Sequence, residues 1–529
     1  MIADLTQEKP HMHILNNASR RLFLRQAGAM SALVGGAAPM ALNLAALGSA
    51  SAQTAGGYKA LVCLFFFGGN DSFHMVLPTD AASWAAYAAT RNQAPEPISL
   101  LLPGTAPVAT AAAGSPARLG GVLPIAPANP QGRSYALHPL MGGLQGLFNT
   151  DKRLAIVPNV GPLVMPTTKA QYGQSSHPKP AQLFAHNDQQ STWQSLRPEG
   201  ATRGWGGRLG DLLASSNTQP VFTAVSAAGN AVFLAGDTVK QYQISTSGAI
   251  PLGVDSSGRV FGSTDVGAAL HRLASSSRST HPFDADTAAV ARRAIDAEQL
   301  LRAAVRAPGD PAFGTAPASG AYNPNNDPKL RYNDPITGAA AFNSLAQQFQ
   351  VVARMVDAGL RGATGVQRQV FFVSLGGFDS HDGQNTALAD LYARINQAMT
   401  YFDSTLGALN ARSQVTTFTT SDFGRTFTSN SDGTDHGWGS HHLVMGGAVN
   451  GGDLYGRFPT LAMKNANNSN FDGSPDQLGN GSLLPACSVD QLGATLGRWF
   501  GASDTQLAGI FPNLANFNPA QRNLGFMQA

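Results

Sequence analysis

Three segments of this chain that read as buried strands end in a short turn that carries an aspartate. Residues 58–67 run into Gly68-Gly69-Asn70-Asp71-Ser72. Residues 369–375 run into Gly376-Gly377-Phe378-Asp379-Ser380-His381, and residues 415–420 into Ser421-Asp422-Phe423-Gly424-Arg425. Carboxylates gathered at one place repel one another and take up protons unless a cation joins them. Imidazoles are at hand. His381 follows the second aspartate, and the stretch Asp435-His436-Gly437-Trp438-Gly439-Ser440-His441-His442 carries three more. Mixed carboxylate and imidazole ligation suits a divalent metal, zinc foremost with manganese or iron as alternatives, better than calcium. The candidate ligands are Asp71, Asp379, His381, Asp422, His436, His441 and His442. Each alone has a plainer reading: an aspartate after a strand caps the next helix, and adjacent histidines divide between core and surface. The coincidence of all of them is what points to a shared site.

The elements that must position these residues can be read from periodicity. Residues 58–67, Y-K-A-L-V-C-L-F-F-F, are continuously apolar with β-branched and aromatic members, which predicts a strand buried on both faces. Further strands are predicted over 154–160, 221–225, 369–375 and 415–420, and a short apolar segment begins at His442. Helices are predicted over 81–91, 140–148, 286–306, 339–359, 386–411 and 492–500. In the fifth of these, Leu388, Leu391, Ile395, Phe402, Leu406 and Leu409 make one apolar face. Strands that alternate with helices predict an α/β fold with a mostly parallel sheet flanked by helices. Ligands of such sheets bind at the carboxyl ends of the strands, where the three aspartates sit. Residues 94–134 and 161–285 read as long insertions of loops and short strands, so residues 53–529 are expected to form a single α/β domain.

The chain starts with a different kind of segment. Ser19-Arg20-Arg21-Leu22-Phe23-Leu24 precedes an uncharged, Ala- and Gly-rich stretch over 27–47, and Ala50-Ser51-Ala52 offers a small-x-small cleavage site. Residues 1–52 therefore read as a twin-arginine export signal, with retention as an uncleaved anchor the alternative. The expected destination is periplasmic or secreted, reached through the twin-arginine translocase as a partner. The leader holds four of the 35 basic and two of the 32 acidic residues, which leaves a net charge of +1 beyond it. That gives no basic surplus for nucleic acid. No later apolar run is long enough for a membrane span after cleavage. Cys63 and Cys487 are expected to be buried thiols.

Taken together, the leader, L-F-F-F-G-G-N-D-S, V-S-L-G-G-F-D-S-H-D-G-Q, T-S-D-F-G-R-T and D-H-G-W-G-S-H-H-L-V-M-G-G resemble the exported bacterial family called domain of unknown function 1501. The resemblance covers about residues 58–460. That family is in turn similar to the alkaline phosphatase and sulfatase superfamily, whose strand-end Asp and His residues hold one or two metals while a Ser, Thr or formylglycine attacks phosphorus or sulfur. The resemblance implies an alkaline-phosphatase-like fold, with Asp71 as the first-strand metal ligand and Asp379 and His381 as an Asp-His pair, although the spacing is D-x-H rather than D-x-x-x-H. Asp422 stands where sulfatases carry the Asp of T-S-D-N-G, with Phe423 in place of a ligand. His436, His441 or His442 supplies the late histidine. Relatives carry a Ser-His pair where this chain has Ala185-His186-Asn187-Asp188-Gln189, so a serine is missing there.

For the attacking oxygen the candidates are Ser72, which follows Asp71, and water acting directly. Arg425, through its bidentate fork, and His186 are the candidate substrate contacts. The function expected is an exported metal-dependent hydrolase of phosphate or sulfate esters, small-molecule or polysaccharide. The alternative is a catalytically inactive exported binding or assembly protein on the same fold.

Overall fold

Nine residues, Lys59–Phe67, form the middle of the main sheet, and their alternation shows why the run is apolar throughout. Leu61, Cys63 and Phe65 enter one core, whereas Ala60, Val62, Leu64 and Phe66 enter the other. A strand covered on both faces has no polar side to offer. Burying each of its large side chains contributes about 1.5–3 kcal/mol. The computed structural model describes residues 57–528 apart from 247, 250, 256, 278 and 279. The expected export leader and its cleavage site lie outside the described residues.

The eight strands of this sheet are β1 (Lys59–Phe67), β2 (Leu154–Gly161), β3 (Ala224–Ser226), β4 (Tyr242–Gln243), β5 (Arg368–Gly376), β6 (Val415–Ser421), β7 (Ser440–Gly446) and β8 (Cys487–Ser488). Their spatial order is β8-β2-β7-β6-β1-β5-β3-β4. β7 runs antiparallel to both of its neighbours, β6 and β2, and every other pairing is parallel. The fold is thus α/β with a mostly parallel sheet flanked by helices, as the alternating pattern predicts. The described residues from Gly57 onward form one unit.

Ten helices matter below: α1 (Ser72–Met75), α2 (Ala81–Arg91), α3 (Gly142–Asn149), α4 (His186–Ser195), α5 (Trp205–Leu213), α6 (Thr264–Ala274), α7 (Pro282–Ala304), α8 (Ser344–Leu360), α9 (Gln384–Ala408) and α10 (Val489–Phe500). The apolar faces of α3, α8 and α9, among them Leu144, Phe349, Val356, Tyr392 and Phe402, cover one side of the sheet. Trp205 and Leu209 of α5 and Leu492, Leu496 and Phe500 of α10 cover the other. Among the described residues no helix is long and apolar enough to cross a membrane. Cys63 and Cys487 are both buried and free.

Sequence reading departs from the structure in two places that bear on the site. The stretch over 161–203 contains α4, whose residues His-Asn-Asp-Gln-Gln-Ser-Thr-Trp-Gln-Ser show no apolar stripe for periodicity to find. The helix expected over 339–359 starts only at Ser344, where Asn343 caps it, because Ala340–Phe342 pairs as a strand with Arg331–Asn333.

The register of β1 lines up the turns that matter. Phe67 lies beside Gly376, and Phe66 beside Ser421. The segments carrying Asp71, Asp379 and Asp422 therefore leave the sheet at one edge.

Candidate metal centre

Gly68 makes the first turn possible. Its φ is +116°, and a Cβ there would meet the Asp379 amide nitrogen at 2.3 Å. With only hydrogen at that position, its amide donates to Asp422 Oδ2 at 3.1 Å. The same carboxylate oxygen accepts from His186 Nδ1 at 2.7 Å and from Gln190 Nε2 at 2.8 Å. His186 and Gln190 are one turn apart on α4, so one helix face grips Asp422 twice. The opposite ring nitrogen, His186 Nε2, faces Asp379 Oδ2 at 3.4 Å.

His436 reaches the same point from a hairpin. Arg425–Ser429 pairs with Thr434–His436, with Arg425 directly opposite His436. His436 Nδ1 donates to the Phe184 carbonyl at 2.7 Å, which leaves Nε2 as the nitrogen with a free lone pair. That Nε2 lies 3.4 Å from Asp379 Oδ1 and 3.1 Å from His381 Nε2. His381 Nε2 is itself 3.0 Å from Asp379 Oδ1, and its Nδ1 lies 3.4 Å from Asp435. Each of the three imidazoles thus presents one nitrogen toward Asp379 and the other toward an oxygen, the arrangement by which metal-binding histidines are oriented.

The donor set fits a divalent transition metal. His186, Asp379 and His436 each offer an atom within 4.8 Å of the other two, and His381 borders them. His186 Nε2 is buried without a hydrogen-bond partner among the described residues. A buried polar atom left unpaired is costly, and a cation would relieve it. Imidazole with carboxylate favours zinc, manganese or iron over calcium. The place is open: the side chains of Asp379 and His381 are 46% and 44% exposed.

Charge at the centre follows from these contacts. The Asp422 hydrogen bond, stronger here than partial burial, raises the His186 pKa. Burial lowers that of His436, so its ring is neutral at neutral pH. Burial would raise the Asp379 carboxyl, but the Arg425 hydrogen bond and charge, with His186 and His381, hold it below its ordinary value. Phe423 walls the site on the apolar side, its ring 4.9 Å from that of His186 and 4.7 Å from that of His436.

Several residues singled out in the sequence stand elsewhere. Asp71 is withdrawn into the interior. Its Oδ2 accepts from Arg91 at 2.6 Å and Gln384 at 2.7 Å and lies 3.0 Å from His74 Nδ1. Its Oδ1 caps α1 through the Phe73 amide. Burial opposes its ionisation, yet Arg91 and His74 keep it well below the usual carboxylate range. With both oxygens engaged it is a buried ion-pair partner, not a member of the cluster. Ser72 is fully buried beside it. His441 and His442 are successive residues of β7 and so point to opposite faces of the sheet. His441 Nδ1 accepts from the Asn159 amide, and His442 packs against Trp193 with ring centroids 4.7 Å apart. Burial pushes both down to about 3, so both are neutral core imidazoles.

Arg425 is engaged inside the fold rather than offered outward. Nη1 donates to Asp379 Oδ1 at 2.8 Å and to the Gly68 carbonyl, Nε donates to Thr434 Oγ1, and Nη2 to the Thr434 carbonyl. Thr434 Oγ1 donates in turn to Gln384 Oε1 at 2.6 Å, and Gln384 Nε2 donates to Asp71. A buried polar chain therefore runs from Asp71 to Asp379. Gln190, Gln384, Arg91 and the Phe184 carbonyl were not singled out in the sequence. The signals available were the spacing of four between His186 and Gln190 and the place of Gln384 at the end of the stretch V-S-L-G-G-F-D-S-H-D-G-Q.

The sequence matches the family described as "Protein of unknown function (DUF1501)" over residues 58–508. The chain belongs to the DUF1501 family. The match takes in all of the cluster, from His186 to His436. No curated protein matches the chain. Among solved structures, it is similar to Ps i-CgsB in complex with k-i-k-neocarrahexaose, at 9% identity and a TM-score of 0.31, covering 88% of this chain and 78% of that one. It is also similar to the protein BT33494S-sulf, whose description concerns metabolism of multiple glycosaminoglycans by Bacteroides thetaiotaomicron. There the identity is 8% and the TM-score 0.31, with 85% and 74% of the two chains covered.

Proposed function

We propose that this DUF1501 protein is a metal-dependent hydrolase of phosphate or sulfate esters that works outside the cytoplasm. One observation carries the reading: three imidazoles, each anchored through its other nitrogen, meet the Asp379 carboxylate at a solvent-open point. His186, Asp379 and His436 would hold the ion, with His381 at its border. A divalent ion here supplies Lewis acidity toward an ester oxygen. The chain's own residues do the rest. Asp422 and the Phe184 carbonyl hold two of the rings in the required tautomer. Arg425 keeps Asp379 ionised. With Ser72 buried, water is the attacking oxygen. The half-exposed His381 accepts the water proton as the new bond to phosphorus or sulfur forms and the bond to the leaving alcohol breaks, and that alcohol takes up a proton.

The second reading, an exported binding or assembly protein without turnover, is favoured by the engagement of Arg425. A guanidinium committed to Asp379, Gly68 and Thr434 is not offered to a phosphate or sulfate. Metal content and turnover separate the two. The mature protein and a His186→Ala/Asp379→Ala variant would be analysed for zinc, manganese and iron, then assayed on aryl phosphate and aryl sulfate esters. Metal together with turnover, both lost in the variant, supports the hydrolase. Metal without turnover supports the second reading. No metal in the wild type sinks the hydrolase and leaves the second reading.

A further inference from the structure

Seven of the ten exposed large hydrophobic side chains among the described residues fall between Leu252 and Val290. Such a concentration on one small stretch is not ordinary surface composition. On α6, Val266, Leu270 and Leu273 recur at helical spacing and all face solvent. On α7, Phe283 is 76% exposed and Val290 56%. The buried face of α7 is a different one, made by Ala288, Ile295, Glu298, Leu301 and Ala304. The two helices are held together, with Arg292 donating to the Ser275 carbonyl at the end of α6. Both therefore turn apolar residues outward, although each already has an inward contact.

The charges on α7 say what covers this face. Phe283, Asp286, Val290 and Arg293 are spaced three, four and three residues apart, which puts them in one line along the helix. Asp286 and Arg293 are both exposed. The line is self-complementary. A two-fold axis passing between Ala289 and Val290 brings Asp286 of one copy onto Arg293 of the other, twice, with Val290 between the two pairs and Phe283 flanking them at each end. Isologous dimer interfaces have this property. A membrane surface with anionic headgroups would be matched by basic residues alone.

We propose that the solvent-facing sides of α6 and α7 form the interface of a homodimer, packed antiparallel across Asp286 and Arg293. The test is sedimentation of the mature protein over a concentration series, with circular dichroism to confirm folding. The wild type should associate reversibly. Phe283→Ser/Val290→Ser should be monomeric with unchanged dichroism. Asp286→Arg alone and Arg293→Asp alone should each weaken association about tenfold, because a two-fold axis loses two pairs at once. Asp286→Arg/Arg293→Asp should recover most of it, since the swapped charges again match. A wild type that is monomeric throughout overturns the proposal. So does a double variant no better than either single one. Association of the protein with anionic vesicles, insensitive to the Asp286 change, would assign the face to a lipid surface instead.

Discussion

Asp422 is fully buried and holds His186 Nδ1 at 2.7 Å, so the orientation of an imidazole at the rim is set by a carboxylate in the interior. The same oxygen takes the Gly68 amide at the end of β1 and Gln190 from α4. A carboxylate expected to bind metal directly thus ties a sheet edge, a helix and a ring together. Such outer partners typically account for about 10–100-fold in metal affinity.

Asp422→Asn should weaken zinc binding by about that factor, because the amide can turn a donor toward His186 and select the wrong tautomer. Competition against a chromophoric chelator measures it. An affinity equal to wild type would mean that His186 is not a ligand.

Arg425→Met leaves Asp379 without its clamp and strands the Thr434 and Gly68 carbonyls. The expected loss of stability is on the order of 2–3 kcal/mol, arising mostly from the buried hydrogen bonds and little from the half-exposed ion pair. Arg425→Lys should recover less than half, since an ammonium cannot reproduce the fork. Urea unfolding of the two variants beside wild type decides this.

Gly69 has φ +87°, and a Cβ there would lie 2.4 Å from the Phe423 ring. Gly69→Ala should therefore cost roughly 2 kcal/mol or more, from backbone strain and the clash together. Phe423→Leu added to it should return part of the loss by relieving the clash while the strain remains. If the single variant melts with wild type, Phe423 is not held by that turn.

Stability should respond to pH in two opposed ways. His441 and His442, pushed down to about 3 by burial, bind fewer protons folded than unfolded. Their contribution is complete above the unfolded pKa of about 6.5 and is lost as pH falls. Asp490, raised to about 6 by burial, binds more protons folded, so its contribution falls as pH rises from about 4 to about 6. Asp490→Asn, which keeps an acceptor for the Asn513 amide, should raise the melting temperature at about pH 7 and leave it nearly unchanged near pH 4. Equal shifts at both values would contradict the assignment.

Zinc should stabilise the mature protein by about 2.7 kcal/mol at a free concentration one hundred times its dissociation constant. The shift should vanish in His186→Ala and in His436→Ala. It should persist in His441→Gln, provided that variant folds, because His441 is a core residue. Thermal melts with and without the metal check all three.

Much of the fold was legible along the chain. The runs that became β1 and β5 are largely apolar on both faces, and the β-branched run that became β6 is buried throughout, as only a sheet covered on both sides accommodates. Their strand-end aspartates could be located for the same reason, and Asp379 and Asp422 do meet at one edge. Periodicity likewise located α8 and α9, whose stripes fill the core.

Other choices depend on contacts remote in sequence. Asp71 obeys the same strand-end rule as Asp379, yet Arg91, twenty residues on, and Gln384 saturate its oxygens. His436 enters the cluster from the hairpin opposite Arg425, whereas His441 and His442 lie within β7, whose successive side chains are buried on opposite faces of the sheet. His186 sits on a helix with no apolar stripe, and its importance comes from Asp422, 236 residues away. Hydrophobic pattern specifies which elements form, since burial acts on each segment's own residues. Which polar groups become partners is a matter of distance in space, and that is established once the elements have packed.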